Sequence, residues 1–279
     1  HAARIMPRED EDASAMVQKA FERQDISVHC GYEASAFART GDGQEGVFNT
    51  AEGEVTLSFD RVLLAVGRSP NTEGLGLEAL GIEVTSSGTI AVDDYLCTAV
   101  PTIYACGDIA GPYQFTHLAS HQAWYAAVNS LFGRFRRFKV DYSVVPWATF
   151  TDPEVARVGL SESEATAAGI DYEVTRYGID DLDRAIADGE DHGFVKVLTE
   201  PGRDRILGAT IVGYHAGELV SEFVLAMKHG IGLNKILGTI HIYPTLGESN
   251  KFLAGEWRKA RKPEGVLRWV ERYHGWLRG

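Results

Sequence analysis

Gly107 and Asp108 occupy a position in the sequence where many α/β proteins bind ligands. They directly follow an apolar stretch, Thr102-Ile-Tyr-Ala-Cys106, and precede a helix predicted to begin near Thr116. Ligands of open α/β sheets bind beyond the carboxyl ends of the strands. Gly107 would let a ligand approach the backbone closely, and the Asp108 carboxylate could accept hydrogen bonds from ligand hydroxyl groups. The pattern predicts a binding site here, with a plain chain turn at Asp108 as the alternative.

Tyr243 and Glu248 form a second candidate site, within His241-Ile-Tyr-Pro-Thr-Leu-Gly-Glu248. A phenol with a pKa of about 10 is a poor proton shuttle at neutral pH, but it is a good hydrogen-bond donor. Thr245-Leu-Gly-Glu248 is also a capping box, in which Thr245 caps a helix and Glu248 binds the backbone N–H of the cap. The catalytic and the structural interpretations of Glu248 both stay open. His241 should project away from Tyr243 if the segment is extended.

The remaining motifs favour structural roles. Gly41-Asp-Gly-Gln-Glu-Gly46 has the spacing of a dinucleotide-binding loop, but a strand rather than a helix is predicted after it, so we interpret it as a hairpin turn. Cys30, Cys97 and Cys106 have no C-x-x-C spacing, which supports neither a disulfide framework nor a zinc site. The other histidines lack metal-ligand spacing and are interpreted as structural: His29, His121, His192, His215, His229 and His274. No metal site is predicted.

Periodicity and turn signals define the elements that must position these residues. Apolar residues at helical spacing predict helices over residues 10–24, 116–132, 218–229, 247–259 and 263–273. Short apolar runs between glycines and aspartates predict strands over residues 26–30, 34–40, 55–59, 62–66, 89–92, 102–106, 194–198 and 206–212. The apolar and polar residues alternate in longer segments beyond about residue 139, where we place a domain boundary.

Composition and charge narrow the function classes. The chain has 279 residues, of which 44% are hydrophobic, and 27 basic against 39 acidic residues give a net charge of -12. This balance argues against non-specific binding to nucleic acid or to anionic membranes. Arg134-Phe-Arg-Arg-Phe-Lys139 is interpreted as a locally basic, solvated helix end. No apolar stretch approaches the length of a membrane span, and a reducing, cytoplasmic location is expected.

Several motifs in order along the chain resemble the flavoprotein pyridine nucleotide-disulfide oxidoreductases, which include lipoamide dehydrogenase, glutathione reductase and mercuric reductase. The motifs are Ala65-Val-Gly-Arg-Ser-Pro-Asn71, Pro101 to Gly111, Phe115-Thr-His-Leu-Ala119, Val158-Gly-Leu-Ser-Glu162, Ile211-Val-Gly213 and His241 to Glu248. The resemblance covers nearly the whole chain. It implies an α/β and α+β fold made of remnants of the FAD- and NAD(P)-binding Rossmann-like domains and an α+β interface domain.

The resemblance also implies a domain plan and partners. Residues 1–70 would be the C-terminal remnant of the NAD(P)-binding domain, residues 71–138 the C-terminal half of the FAD-binding domain, and residues 139–279 the interface domain that forms a twofold homodimer. The family's FAD-binding glycine motif, its C-x-x-x-x-C redox pair and its second glycine motif do not occur in this sequence. The chain is therefore interpreted as the C-terminal part of a longer reductase.

Site residues follow from the matching motifs. Gly67 matches a glycine near the nicotinamide, while Gly107 and Asp108 belong to the motif in which the aspartate contacts the flavin's ribityl and phosphate region. Phe115, Thr116 and His117 would lie along the isoalloxazine. Lipoamide dehydrogenase and glutathione reductase have a histidine immediately before the Pro-Thr pair, held by the glutamate, and it acts on the partner subunit's dithiol.

Tyr243 stands at that histidine's position here, while Glu248 is kept. Acid–base activation of a disulfide is thus in doubt, and a donor or a metal-side contact by Tyr243 in the dimer cleft is expected instead. The paired C-terminal cysteines of the mercuric-reductase branch do not occur in this sequence.

The function expected from this resemblance is part of an FAD-dependent NAD(P)H oxidoreductase. Electrons would pass from NAD(P)H through FAD and a cysteine pair, not found in this sequence, to a disulfide, metal ion or other acceptor. The chain alone is expected to be inactive. The alternative is a stand-alone dimerising binding module without redox activity, and no nucleic-acid or membrane partner is expected.

Overall fold

A computed structural model describes residues 2–41 and 43–279, which form two compact units. One unit contains residues 1–60 and 146–279, and the other contains residues 61–145. The helices are α1 (Glu11–Arg23), α2 (Thr116–Phe132), α3 (Glu162–Ala167), α4 (Asp183–Asp188), α5 (Ala216–Leu219), α6 (Ser221–Lys228), α7 (Leu233–Leu237), α8 (Glu248–Lys259) and α9 (Glu264–Leu277). The strands are β1 (Glu33–Thr40), β2 (Gly43–Thr50), β3 (Gly53–Phe59), β4 (Pro146–Thr149), β5 (Glu154–Gly159), β6 (Glu173–Gly178), β7 (Phe194–Thr199) and β8 (Ile206–Gly213).

The larger unit is built on an antiparallel five-stranded sheet with the order β4-β5-β8-β7-β6. Strands β7 and β8 are buried almost throughout, which explains their nearly continuous apolar sequences. Helix α8 packs against β6 and β7. Helix α1 packs on the sheet through Ala13 and Val17, which form a cluster with Val155, Phe194 and Val212. This mixed α/β architecture confirms the predicted fold class.

Strands β1, β2 and β3 form a separate antiparallel meander. Thr40 pairs with Gly43 in the antiparallel register of β1 and β2, so the two strands form a hairpin and the hairpin interpretation of the glycine motif is confirmed. Asp42 lies outside the described residues. Strand β2 lies between the predicted strands at residues 34–40 and 55–59, where no strand limits were predicted, and its backbone pairs with β1 on one side and β3 on the other.

The smaller unit contains α2 and mostly irregular chain. The strands predicted at residues 62–66 and 102–106 are wrong: the first has no regular structure, and the second makes a single bridge between Tyr104 and Cys97. A strand needs a ladder partner, and none of the described residues supplies one here. Leu63 and Val66 are 89% and 94% exposed as a result. Likewise, residues 26–30 are irregular and residues 89–92 make one bridge, between Ile90 and Val84.

Two features bear on domain organisation. The compact units divide the chain after residues 60 and 145, and the predicted domain limits at residues 70 and 138 stay a prediction. Across the described residues, no helix combines the length and the apolar character that crossing a membrane requires.

Candidate functional site

Gly107 and Asp108 lie in a short 3-10 turn, Gly107–Ile109, directly before the segment that leads into α2. Gly107 is buried and has a φ of +79°, a conformation that L side chains rarely adopt, and a Cβ there would lie 3.2 Å from the Cβ of Ala119. Asp108 is half-buried, and its Oδ2 lies 3.9 Å from Arg68 Nη1. The missing Cβ at Gly107 thus lets the turn pack against Ala119 of α2, and because Gly107 is buried, the structure does not show the close ligand approach predicted there.

Gln122 holds this turn against α2. Its side chain is fully buried; Oε1 accepts a hydrogen bond from Gly107 N at 2.6 Å, and Nε2 donates to Gly111 O at 2.7 Å and to Tyr142 Oη at 2.8 Å. Sequence analysis did not identify Gln122. The available signal was a long amide side chain on a predicted helix otherwise rich in apolar residues.

The predicted flavin-contacting residues lie at the start of α2. Phe115 is the N-cap residue and makes no side-chain capping bond, so the first N–H groups of α2 are not satisfied by that side chain. The rings of Tyr113, Phe115 and His117 stack in a row, with centroids 6.0 and 5.2 Å apart and interplanar angles of 10° and 11°. Thr116 and His117 are exposed. An aromatic row and a positive helix end therefore adjoin Asp108 along the chain.

Gly67 belongs to the same unit as Asp108. It has a φ of +126° and is exposed. The next residue, Arg68, donates from Nη1 to Gln114 O at 3.1 Å, which joins the Gly67 segment to the chain just before Phe115. Arg68 thereby links the segment after Gly67 both to Asp108 and to the residue before Phe115.

Tyr243 makes a contact that the sequence did not predict. Its hydroxyl donates to Asp183 Oδ2 at 2.8 Å, and the side chain is largely exposed. The hydrogen bond to the Asp183 carboxylate, together with that residue's negative charge, raises the pKa of Tyr243. The phenol therefore keeps its proton at neutral pH. Asp183 is 60 residues away in sequence, and no sequence pattern pointed to it.

Glu248 accepts a hydrogen bond from the backbone just before α8. It is 8% exposed, and its Oε2 accepts from Thr245 N at 3.1 Å, which is one half of the predicted capping box. The other half does not form, because the Thr245 hydroxyl donates to Ile242 O at 2.6 Å instead. The structural interpretation of Glu248 accounts for this contact, and a catalytic role stays a prediction.

His241 faces a different set of groups from Tyr243. Its Nε2 lies 3.0 Å from Glu222 Oε1 and its Nδ1 lies 3.1 Å from Thr239 O. Asn250 Nδ2 donates to the same Glu222 carboxylate at 3.0 Å. His241 and Tyr243 thus have separate partners. Extended geometry does not explain this, because residues two apart in an extended segment lie on the same face, so the reason for expecting them on opposite sides was wrong.

A cavity of about 560 Å³ opens beside the Tyr243 segment. Arg184, which follows Asp183, and Thr245 to Gly247, which follow Pro244, contribute to its lining together with Tyr214 and His215. The cavity is therefore lined by residues that lie close in sequence to both partners of the Tyr243–Asp183 hydrogen bond.

The acidic group Asp10, Asp12 and Glu162 has the spacing of a cation site, but Lys196 occupies it. The Lys196 Nζ lies 2.9, 2.7 and 2.8 Å from oxygens of these three carboxylates, and the lysine is 1% exposed. Burial alone would lower the pKa of Lys196, but its hydrogen bonds to the three carboxylates outweigh burial and raise it. The ammonium group is thus the cation of this group.

Arg157 lies beside Lys196, two strands away on the same face of the sheet, since both residues pair with Thr210 of β8. Its guanidinium contacts Glu9 and Glu164, and it stacks over the Trp147 ring at 4.3 Å. Burial alone would raise the pKa of Glu164, but the hydrogen bonds from Arg157 and Ser161, together with the positive charge of Arg157, outweigh it and lower that pKa. These two buried cations attach the start of α1 to the sheet.

The comparisons with known proteins agree with this fold. Residues 1–123 match the family described as pyridine nucleotide-disulphide oxidoreductase, and residues 145–253 match its dimerisation domain. The chain is 38% identical over 244 residues to dihydrolipoyl dehydrogenase of Chlamydia muridarum, covering 88% of this chain and 51% of that protein. It is 31% identical over 252 residues to mercuric reductase of Streptomyces lividans, covering 90% and 53%.

Solved structures show the same likeness. The crystal structure of LpdA from Mycobacterium tuberculosis superposes with a TM-score of 0.80 at 28% identity, covering 88% of this chain and 52% of LpdA. The Cu(II) complex of the HOCl-induced flavoprotein disulfide reductase RclA from Escherichia coli superposes with a TM-score of 0.82 at 26% identity, covering 91% and 56%. The chain spans about half the length of the relatives that it matches.

Proposed function

The chain belongs to the pyridine nucleotide-disulphide oxidoreductases, and we propose that it contributes one wall of the flavin site and the acceptor-side residues of an FAD-dependent NAD(P)H oxidoreductase. Members of this family use FAD and NAD(P)H. The observation that carries the proposal is the placement of the half-buried Asp108 carboxylate in the turn before the segment that leads to the N-terminus of α2.

The described residues fit the flavin chemically. FAD, when bound, accepts a hydride from NAD(P)H and passes two electrons onward. The half-buried Asp108 carboxylate can accept hydrogen bonds from hydroxyl groups of a polyol chain. The N–H groups at the start of α2 would favour electron density on a carbonyl of the flavin. The stacked rings of Phe115 and His117 would lie along the isoalloxazine. Gly67 would border the nicotinamide.

Tyr243 defines the acceptor side in this proposal. Because the phenol keeps its proton and donates a hydrogen bond to Asp183, its oxygen lone pairs remain available to orient an acceptor, and it does not shuttle protons. Glu248 supports the segment by holding the backbone N–H of Thr245. The acceptor is a disulfide, a metal ion or another group, reached through a cysteine pair that the three cysteines of this sequence do not form.

The dimerisation domain supports a homodimer through residues 140–279. Sedimentation of the purified chain should show dimers at micromolar concentration, with an apolar interface of about 2,000 Å² or more. A species that stays monomeric would argue against this part of the proposal.

Flavin binding tests the central proposal. We expect the purified chain to bind FAD weakly or not at all, and the full-length product of the natural gene to bind it stoichiometrically. In that full-length protein, Asp108→Ala should weaken FAD retention at least tenfold, because a hydroxyl-binding carboxylate is lost. Glu83→Gln, which removes an exposed carboxylate of the same unit, is the matched control.

NADH- and NADPH-dependent reduction of lipoamide, Hg(II) and a dye, measured on the same full-length protein, identifies the acceptor. Failure of that protein to bind FAD or to oxidise either nicotinamide would leave the dimerising binding module as the better account.

A further inference from the structure

Helix α9 is amphipathic, and its apolar face is uncovered. Val266, Trp269, Tyr273, Trp276 and Leu277 recur at three- and four-residue spacing, so they share one face of the helix. Each is between 45% and 76% exposed. The Trp269 and Tyr273 rings stack with centroids 5.7 Å apart. Three large aromatic rings thus form a continuous exposed apolar face near the end of the chain.

The charge around this helix is opposite to that of the whole chain. Residues 258–279 contain seven Lys or Arg and two Glu, a formal charge of +5, whereas the complete chain carries -12. Arg258-Lys-Ala-Arg-Lys262 is a second basic run that the sequence analysis overlooked beside residues 134–139. Arg268 and Arg272 lie one helical turn apart at the margin of the apolar face, next to Trp269 and Trp276.

We propose that α9 binds the surface of an anionic lipid bilayer, lying parallel to it with the aromatic face inserted at the headgroup level. A helix of 14 residues is about 21 Å long, too short to span about 30 Å of hydrocarbon. Its opposite face carries charged residues, as in helices that rest in the interface plane. Trp and Tyr rings favour the bilayer interface, and the arginine side chains reach outward to lipid phosphates.

Charge complementarity favours lipid over self-association through this helix. Pairing α9 with α9 of a second copy would bring two segments of +5 together, whereas anionic headgroups attract each cation near the surface. A bilayer also accepts a convex, aromatic face without a matching groove. The remaining occupant, an acidic surface of a second copy, becomes an outcome of the test.

The test is flotation of the purified full chain with vesicles of phosphatidylcholine alone and with vesicles in which about a quarter of the lipid is phosphatidylglycerol. We expect binding to the anionic vesicles only, and its loss in high salt. Trp269→Ser with Trp276→Ser should reduce partitioning at least tenfold. Arg268→Gln with Arg272→Gln should reduce it roughly thirtyfold, from about 1 kcal/mol for each cation.

The matched controls leave α9 intact. Arg203→Gln with Arg205→Gln removes two exposed cations of another loop, and Phe135→Ser removes an aromatic ring that is 91% exposed within the other basic run. Both should float like the wild type. Quenching of tryptophan fluorescence by brominated lipid should vanish in the double tryptophan variant.

Two results would overturn the proposal. One is flotation that persists in the tryptophan variant or disappears in the Phe135 variant. The other is an absence of flotation together with a lipid-free oligomer that the tryptophan variant dissociates, which would assign the face to a second copy.

Discussion

Replacing Lys196 by Met should strongly destabilise the larger unit. The variant keeps the apolar stem and removes only the ammonium group, which is 1% exposed and lies within 2.9 Å of Asp10, Asp12 and Glu162. Removing one partner of a buried ion pair costs about 3 to 5 kcal/mol, because the remaining charge stays buried and unpaired. Asp12 and Glu162 are about a third exposed, so water screens them and the lower end, about 3 kcal/mol, is expected.

Thermal and urea unfolding, followed by far-ultraviolet circular dichroism, measure this loss. About 3 kcal/mol corresponds to roughly 6 to 12 °C for a domain of this size. Lys235→Met removes an exposed lysine from α7 of the same unit and should change the midpoint by little. The carboxylate oxygens of the three acids lie within 4.8 Å of one another, so millimolar Ca²⁺ should partly restore the stability of Lys196→Met and leave Lys235→Met unchanged.

The reasoning fails if Lys196→Met unfolds within about 1 kcal/mol of Lys235→Met. Such a result would mean that the three carboxylates rearrange into water at little cost. A stability loss of the expected size without any effect of calcium would support the ion pairs of Lys196. It would also show that the three carboxylates do not bind a calcium ion once the lysine is removed.

Three further predictions follow from the described contacts. Asp10 and Glu164 have lowered pKa values in the folded protein, so they stabilise it at neutral pH and this stabilisation is lost as the pH falls below about 4. The urea midpoint should therefore drop between pH 7 and pH 3. The drop should be less steep in Asp10→Asn. Gly107→Ala places an alanine at a positive φ and crowds Ala119, so it should lower the free energy of unfolding by about 1 to 3 kcal/mol, measured by thermal unfolding. Tyr243→Phe and Tyr243→His should each lower turnover with the native acceptor roughly tenfold in the full-length protein, because each removes the hydroxyl that we propose orients the acceptor.

Each of these has its own control. A urea midpoint that is flat from pH 7 to 3 would contradict the acid prediction. Gly81 has a similar φ, +66°, but no atom lies within 4 Å of an added Cβ, so Gly81→Ala should destabilise the protein less than Gly107→Ala. Equal losses of stability in the two variants would show that crowding of Ala119 contributes nothing. Faster disulfide reduction by Tyr243→His would indicate a histidine-style shuttle, and unchanged rates in both variants would reduce Tyr243 to packing.

The sequence by itself determined the elements that depend on local pattern. Helix α2 spans the predicted residues 116–132, and β7 and β8 lie within a residue of their predicted limits. The order of the motifs also identifies the family whose models match residues 1–123 and 145–253. These features succeed because helix periodicity, buried-strand composition and motif order are written in neighbouring residues.

Only the tertiary structure decided which distant groups meet. Lys196 contacts Asp12 across 184 residues, and Tyr243 contacts Asp183 across 60, and no periodicity links such pairs. Residues 62–66 have strand-like composition yet form no strand, because a strand exists only where a ladder partner satisfies its backbone. Long-range pairing depends on the folded positions of whole elements, and for that reason the Lys196 ion pairs and the Tyr243–Asp183 hydrogen bond appear only in three dimensions.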